Sequence, residues 1–385
     1  MTKSVVHVTT VSESLSFLRG QGRFLKEHGY DFSAVTSPSP DNERFAEAEG
    51  VTVHEVAISR AVTPAADLRA LLELVQLLKR LQPDIVHAGT PKAAFLGLMA
   101  ARMAGVKHRV FQLRGLRYET SRGLRRAMFK GLDHASVLFS EVVVVNSHSV
   151  LTAARKDHLF GLTPARVLGH GSSNGVDVAS RFNIEMQEPQ ARQQARQRFG
   201  LSDDSFVIGF VGRIVRDKGI ATLASVWERL RDEHPNLEML VVGAEEPGDP
   251  VAPAALKLLR SDARVHMAGV VRDVENVYPA MDTLLLPTYR EGTPNVLLEA
   301  GALGVPCIAS RVTGCVDVIE DQLTGRLVEN TPTAFVEALR QYLADPELLR
   351  KHGRAAAAHV RERFAQPVVW RDLIKLYDEL TGEHT

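Results

Sequence analysis

The chain has 385 residues, 45% of them hydrophobic and 24% charged, so it is an ordinary globular protein with enough apolar material for two domain cores. Its 46 basic and 46 acidic side chains balance, so no overall charge favours a nucleic acid partner. Two cysteines exclude a disulfide scaffold and a cysteine-rich metal cluster and are typical of a reducing cytoplasm.

Short β-branched runs alternate with amphipathic stretches along the first half of the chain. Strands are predicted over residues 5–9, 32–36, 51–58, 85–87, 107–113 and 141–146, and helices over residues 14–28, 65–81, 92–104 and 122–139. The alternation is typical of βαβ units. We therefore predict a doubly wound α/β domain whose ligand crevice lies at the carboxyl ends of its strands.

Polar residues cluster in the segments where these strands are predicted to end. The set comprises Thr9, Thr10, Ser12, Ser16, His87, Gly89, Thr90, Lys92, Arg114, Gly115, Arg117, Glu119, Asn146, Ser147 and His148. Because the carboxyl ends of parallel strands meet at one edge of a sheet, we predict that these side chains line that edge together. Asn174 belongs to a turn dipeptide that follows further along the chain.

A polar, helix-forming segment separates the first half from a second series of strands. We predict the interdomain link near residues 182–188. The apolar strand 206–211 then runs into Gly212 and Arg213, and Lys218 precedes the next helix, so two cations flank a strand-turn-helix crevice. A βα loop with two solvated cations is the simpler interpretation of the same pattern.

Residues 282–300 are the most informative stretch, because a strand, a tight loop and a helix there carry two carboxylates eight positions apart. The three leucines at 284–286 predict a strand buried on both faces of a parallel sheet. Thr293 and Pro294 predict the N-cap and first position of the helix, since the Thr oxygen accepts a backbone N–H and proline has none to lose.

The N-terminus of this helix is predicted to bind an anion. The N–H groups of Asn295 and Val296 point out of it with the positive end of the helix dipole, which suits a phosphate. Glu291 and Glu299 can then reach polar groups on opposite sides of the phosphate, and sugar hydroxyls are suitable partners. From spacing alone, a helix N-terminus with two exposed glutamates is an equally good interpretation.

The segment Glu291-Gly-Thr-Pro-Asn-Val-Leu-Leu-Glu299 resembles the Glu-x7-Glu motif of retaining glycosyltransferases of family 4, which have the GT-B fold. The resemblance implies two doubly wound Rossmann-like domains facing each other, with a C-terminal helix that crosses back to the first. The implied N-terminal domain is 1–182 with 366–385 packed on it, and the implied nucleotide-sugar domain is 183–365.

The same resemblance implies roles for single residues. Glu299 would hold the ribose hydroxyls, Glu291 would contact the donor sugar, and Arg213 and Lys218 would bind the donor diphosphate. The rest of the implied donor site consists of Gly212, Arg272, Thr293, Asn295 and Val296.

Segments 17–21, 86–92 and 172–177 resemble a bacterial subgroup that builds surface polysaccharide on a lipid carrier. This resemblance implies that the N-terminal domain binds the acceptor, and the implied acceptor side consists of Ser12, Ser16, His87, Lys92, Arg114 and Asn174. Arg114 with Gly115 stands where many relatives have His-Gly, so Arg114 can supply a positive charge in place of an imidazole.

The leading hypothesis is a retaining transferase that moves a sugar from a nucleotide donor, most simply a UDP-sugar, to a lipid-diphosphate-linked or saccharide acceptor. The sequence has no metal-binding spacing, so we expect neither a metal nor a cofactor. The alternatives are a sugar-nucleotide 2-epimerase with the same architecture, which would act without an acceptor, and a non-catalytic relative that binds nucleotide-sugar.

Residues 114–132 carry six cations interleaved with apolar side chains in a chain of zero net charge. One interpretation is an ordinary surface helix with its apolar face in the domain core. The other is a basic amphipathic face that lies on anionic lipid. No run approaches the ~18 apolar residues of a membrane-spanning helix, and a signal peptide is not recognisable, so we expect a cytoplasmic protein with peripheral membrane association.

Overall fold

The computed structural model describes residues 2–59, 63–246 and 248–382. It divides into two compact units, of which unit 1 comprises Met1–Gly175 with Pro367–Thr385 and unit 2 comprises Val176–Gln366. The last three residues of the predicted C-terminal packing segment, 383–385, lie outside the described residues.

Unit 1 is built on a parallel sheet flanked by helices. Its strands in the described residues are β1 (Lys3–Val8), β2 (Tyr30–Thr36), β3 (Thr52–Glu55), β4 (Ile85–Gly89), β5 (His108–Leu113), β6 (Val142–Val145) and β7 (Ala165–Arg166). Its helices are α1 (Gln21–Glu27), α2 (Asp41–Glu49), α3 (Pro64–Leu81), α4 (Pro91–Ala104), α5 (Gly123–Phe139) and α6 (His148–Lys156). The strand order β3-β2-β1-β4-β5-β6-β7 reverses direction between β1 and β4, which is where an open α/β sheet binds ligands.

The strands and helices predicted for the first half are present, with one helix broken in two. Residues 14–28 form a 3-10 helix (Ser12–Leu18) and the separate helix α1. Gly20 lies between them in the left-handed region at φ +78°, and its N–H donates to both carboxylate oxygens of buried Glu49 at 2.9 and 2.8 Å. The break is therefore fixed by a contact from α2, which local periodicity cannot reveal.

Unit 2 repeats the architecture. Its strands are β8 (Phe206–Val211), β9 (Leu237–Val242), β10 (Val265–Gly269), β11 (Thr283–Leu286), β12 (Cys307–Ser310) and β13 (Gly325–Val328). Its helices are α7 (Ala191–Phe199), α8 (Ile220–Leu230), α9 (Pro253–Ser261), α10 (Asn295–Ala302), α11 (Cys315–Val318), α12 (Pro332–Ala344) and α13 (Pro346–Arg363). The order β10-β9-β8-β11-β12-β13 reverses between β8 and β11.

The last helix, α14 (Gln366–Thr381), packs in unit 1, as the resemblance implies. Leu373, Leu376 and Tyr377 are buried in one apolar cluster with residues of β1, β2 and β6. The hydroxyl of Tyr30 donates to Asp378 at 2.6 Å, which ties the end of this helix to β2. The unit 1 sheet is thus covered on one face by the C-terminal segment of the chain.

The two cysteines of the chain are core residues. Cys307 and Cys315 are buried free thiols, and burial raises the pKa of both, so they are packing groups. None of the helices within the described residues combines the length and the apolar character that a bilayer span requires.

Candidate active site

Unit 2 brings the predicted donor residues to the carboxyl edge of its sheet, on both sides of the reversal between β8 and β11. Lys218 ends a short 3-10 helix after β8, and Glu291 lies in the loop after β11. The carbonyl of Asp217 accepts a hydrogen bond from the Thr288 hydroxyl at 3.1 Å and one from the Tyr289 N–H at 3.0 Å. The two loops are therefore fixed to each other.

The close approach of these loops depends on a glycine. Gly219 has φ +73°, and a Cβ there would lie 1.8 Å from the carbonyl oxygen of Pro287. Arg290 adds an ion pair with Asp217 at 3.0 Å across the same contact. Gly219, which directly follows Lys218, therefore has a packing role in this site.

Lys218 and Glu291 form an ion pair whose side chains keep only 19% and 11% exposure. The N–H of Glu291 donates to the carbonyl of Thr313 at 3.2 Å. Gly314, at φ +80°, lies so close that a Cβ would meet the carbonyl oxygen of Gly292 at 2.6 Å. An ammonium has three donors, so Lys218 can hold Glu291 and one further anion together. Both residues were predicted at this site from the sequence, but their pairing was not.

The helix that follows begins one residue later than predicted, so the assignment of Thr293 as its N-cap is wrong. Pro294 has the extended backbone angles φ −75° and ψ 102° and is itself the cap residue of α10. Its carbonyl accepts the N–H of Leu297 at 3.0 Å. The N–H groups of Asn295 and Val296 lie in the first turn of α10, where backbone N–H groups have no intrahelical acceptor, and they point out of this end of the helix.

Glu299 lies in the second turn of α10 and is held by a residue that the sequence reading missed. The hydroxyl of Tyr278 donates to its Oε2 at 2.6 Å. Tyr278 is fully buried, and burial, followed by the negative charge of Glu299, raises the pKa of its phenol well above the usual value. It therefore stays a neutral donor that orients the carboxylate. The sequence gives only a weak indication of this role, namely that a buried tyrosine usually needs a hydrogen-bond partner.

The other predicted donor residues lie at the same edge with more exposure. Gly212 directly follows β8, and Arg213 keeps 54% exposure while it pairs with Glu246 at 2.6 Å. Arg272 is exposed in the segment after β10. Within the residues that the structure describes, no group of three or more His, Cys, Asp or Glu side chains could hold a metal ion.

Unit 1 places its predicted residues at different depths. Ser12 and Ser16 lie in the 3-10 helix after β1, where the Ser16 hydroxyl donates to the carbonyl of Glu13 at 2.6 Å. Asn174 is buried and accepts a hydrogen bond from the indole N–H of Trp370 at 2.8 Å. Asn174 therefore holds α14 in place.

His87 lies in the core of unit 1 and not at the surface of the strand ends. Its Nδ1 is 2.7 Å from the hydroxyl of Tyr377 and its Nε2 is 3.0 Å from Oε1 of Gln112. Burial lowers the pKa of His87 to about 3, so the imidazole is neutral at physiological pH. It belongs to the middle of β4, and its side chain points to α14 because alternate strand residues face opposite sides of a sheet.

The two predicted cations of unit 1 have different partners. Lys92, near the start of α4, pairs with Asp67 of α3 at 2.5 Å. Arg114 follows β5, donates to the hydroxyl of Ser173 at 2.9 Å and lies over the ring of Phe17 at 4.6 Å.

The basic segment 114–132 is only partly exposed to solvent. Its side chains Leu116 and Tyr118 belong to the core. Arg126 and Lys130 pair with Asp157 at 3.5 and 3.8 Å. Leu124 and Met128, by contrast, are 91% and 48% exposed on α5.

Two family models match the chain, "Glycosyl transferase 4-like domain" over residues 16–169 and "Glycosyl transferases group 1" over residues 205–345. The capsular polysaccharide biosynthesis glycosyltransferase CapM of Staphylococcus aureus is 29% identical over 382 residues, which cover 99% of this chain and 98% of that protein. The UDP-Gal:alpha-D-GlcNAc-diphosphoundecaprenol alpha-1,3-galactosyltransferase of Escherichia coli is 26% identical over 296 residues, which cover 76% of this chain and 74% of that protein.

Solved structures agree in fold. A glycosyltransferase from Rickettsia africae has a TM-score of 0.81 at 18% identity and covers 99% of both chains. Anabaena HepE, solved in complex with UDP and glucose, also has a TM-score of 0.81 at 18% identity, over 97% of this chain and 99% of its own. The two family matches, the full-length relative and this shared fold lead to one conclusion: the chain belongs to the glycosyltransferases of the GT-B fold.

Proposed function

We propose that the chain is a retaining, metal-independent glycosyltransferase that moves a sugar from a UDP-sugar to a lipid-diphosphate-linked or saccharide acceptor in surface polysaccharide assembly. The observation that carries this proposal is the convergence of Lys218, Glu291, Glu299 and the N-terminus of α10 at one edge of unit 2. Two relatives support it, since one is a capsular polysaccharide biosynthesis glycosyltransferase and the other is a galactosyltransferase that uses UDP-Gal with a diphosphoundecaprenol-linked acceptor.

In this proposal the donor diphosphate occupies the N-terminus of α10. The N–H groups of Asn295 and Val296 bind it there, and Lys218 and Arg213 add positive charge, so that the charge which develops on the leaving nucleotide is stabilised without a metal. Glu299 accepts the ribose hydroxyls. The segment after β10 that contains Arg272 contacts the base. Gly212 and Thr293 complete the lining of the donor site.

Glu291 contacts the donor sugar in this proposal. Because its carboxylate is already paired with Lys218, it is suited to binding hydroxyls and not to attack as a nucleophile. We therefore propose front-face transfer with retention, in which the departing phosphate helps to deprotonate the acceptor. Unit 1 provides the acceptor side through Ser12, Ser16, Lys92 and Arg114.

The test is nucleotide release from UDP-, GDP- and ADP-sugars by the purified chain, with and without lipid-diphosphate primers. We expect release from a UDP-sugar that rises with primer, survives EDTA and gives a product of unchanged anomeric configuration by NMR coupling constants. Isomerised sugar without any acceptor would favour the epimerase. Binding without turnover would indicate a non-catalytic relative, and rescue by Mg²⁺ after EDTA would contradict the metal-free mechanism.

The two glutamates are expected to affect different kinetic constants. Glu299→Ala should raise the donor KM about 10- to 100-fold with a small change in kcat, because a ribose ligand is held equally in the ground and transition states. Glu291→Ala should mainly lower kcat, since the sugar contact changes as the bond breaks. Tyr278→Phe should also raise the donor KM, by a smaller factor than Glu299→Ala. The measurement is steady-state nucleotide release.

Glu337→Ala, on an exposed face of α12, serves as the matched control and should behave as wild type. If the donor KM and kcat of both Glu299→Ala and Glu291→Ala lie within about twofold of wild type, the Glu-x7-Glu assignment is contradicted.

We further propose peripheral membrane association through residues 114–132, restricted to the surface that remains exposed. Arg122 and Arg125 flank Leu124 at the start of α5, so two cations and an apolar side chain face outward together. Each cation near an anionic surface contributes about 1 kcal/mol. We expect co-sedimentation with anionic liposomes that falls between ~50 and ~500 mM salt, as screening shortens the range of the attraction.

Changing Arg122 and Arg125 to Ser together should remove this binding. The control is the pair Lys79→Ser and Arg80→Ser, two exposed cations in the last turn of α3. Equal recovery of wild type in the supernatant with anionic and neutral liposomes at low salt would show that α5 is an ordinary surface helix.

A further inference from the structure

Arg114 is a partly buried cation, with its Nε fully enclosed, at the carboxyl edge of the unit 1 sheet. It directly follows β5 and lies against the end of β4, where a Cβ on Gly89 would be 3.0 Å from its Nε. Phe17 covers one face of the guanidinium, with the ring centroid 4.6 Å from Cζ, and Ser173 accepts a hydrogen bond at 2.9 Å. Burial lowers the pKa of Arg114 to about 10.

No carboxylate in the described part of the chain pairs with Arg114, and its buried Nε has no hydrogen-bond acceptor there. Burial is the main cause of the lowered pKa of both His7 and His87, and the charge of Arg114 adds a smaller contribution to each. A cation that is desolvated without a counter-charge costs stability. An anionic ligand would offset this cost.

The surrounding backbone has further features of a binding site. Thr90, directly after β4, has φ +69°, and Ser172 has φ +74°, although neither is a glycine. The Thr90 hydroxyl lies 2.6 Å from that of Thr10, so it bridges β1 and β4 at the point where the strand order reverses. Strained residues at such a reversal are typical of ligand sites.

We propose that Arg114 binds a phosphate of the acceptor's diphosphate, so that unit 1 selects acceptors by their charge. The proposal rests on the proposed function for the statement that unit 1 takes the acceptor. Phosphate supplies the counter-charge that Arg114 lacks and accepts hydrogen bonds from its outer nitrogens. The hydrogen bond to the Ser173 hydroxyl orients the guanidinium.

The test is calorimetric titration of the full chain, with UDP present at saturation to occupy the donor site. The probes are farnesyl diphosphate, inorganic pyrophosphate and farnesol. We expect farnesyl diphosphate to bind wild type and to bind Arg114→Gln about 10- to 100-fold more weakly, the scale of one charged hydrogen-bonded contact. Arg114→Lys should restore part of the affinity, and farnesol should not bind measurably. Arg102→Gln, at an exposed cation in the last turn of α4 in the same unit, is the control and should bind as wild type.

The pyrophosphate arm distinguishes the sources of the phosphate. If pyrophosphate binds with the same affinity as farnesyl diphosphate, and this affinity depends on Arg114, the site is supported and its ligand is the diphosphate headgroup alone. Thermal unfolding without ligand separates this role from a structural one, because removal of a partly buried cation that has no carboxylate partner should leave the midpoint of Arg114→Gln at or above that of wild type. Farnesyl diphosphate binding that Arg114→Gln leaves unchanged, or a lowered midpoint, would overturn the inference. Failure of UDP to bind wild type would instead refute the proposed function.

Discussion

Lys218→Ala is expected to lower kcat/KM for the nucleotide-sugar about 30- to 1,000-fold, which corresponds to roughly 2–4 kcal/mol for one charged stabiliser of a developing anion. The structure supports a large effect because the ammonium is mostly buried and its partner Glu291 is fixed by the backbone of Thr313. Lys218→Arg should be only partly active, since a planar guanidinium cannot replace a compact ammonium between two anions. The measurement is nucleotide release at subsaturating donor.

The ion pair makes a double-mutant cycle informative. If Lys218 acted only by orienting Glu291, the variant that lacks both side chains would be no worse than Glu291→Ala. We expect it to be worse than either single variant, because Lys218 is also proposed to bind the leaving diphosphate, but better than the sum of the two losses, because the residues are in contact. Lys257→Ala, an exposed lysine of α9, is the control. Activity of Lys218→Ala within about threefold of wild type would contradict the assignment.

Much of the fold follows from patterns that are local in sequence. The three-leucine run at 284–286 predicts β11 because a central parallel strand is buried on both faces, and all of these side chains are buried in unit 2. Alternation of such runs with amphipathic helices predicts the parallel sheets. The motif with Glu291 and Glu299 is likewise contained in nine residues.

Features that depend on distant contacts were not predictable in this way. Tyr278 reaches Glu299 from a short 3-10 helix before β11, and Asp217, in the 3-10 helix after β8, binds the loop after β11. His87 looks like a site residue because histidine is polar, but its partner Tyr377 lies 290 positions away in α14. The cap of α10 was misplaced because Pro294 adopts an extended conformation, which the Thr-Pro pattern does not exclude.

Arg196→Leu is expected to destabilise unit 2 by about 3–5 kcal/mol, the cost of breaking a buried ion pair by removal of one partner. Arg196 is 1% exposed in the polar helix α7, where nothing in the sequence marks it as buried. Its guanidinium pairs with Asp282 at 2.8 Å and donates to the carbonyls of Ser202 and Asp203 at 2.8 and 2.6 Å. Loss of the arginine would remove these hydrogen bonds and the buried one of the two cations that pair with Asp282.

The measurement is urea unfolding followed by tryptophan fluorescence in a Trp370→Phe background. The chain has two tryptophans, so this background leaves Trp227, buried in unit 2, as the only one and reports that unit alone. A reporter confined to one unit matters because a chain of two units need not unfold in a single two-state transition.

Arg192→Leu is the matched control, since Arg192 binds the same Asp282 at 2.7 Å but keeps 48% exposure. An exposed ion pair is worth about 0–1 kcal/mol, so this variant should be close to wild type. Because Asp282 also accepts the N–H of Val207 and begins the segment that leads into β11, we expect Arg196→Leu to weaken nucleotide binding at denaturant concentrations that leave Arg192→Leu intact. Equal losses of stability for the two variants would show that Asp282, and not the buried guanidinium with its carbonyl partners, accounts for the effect.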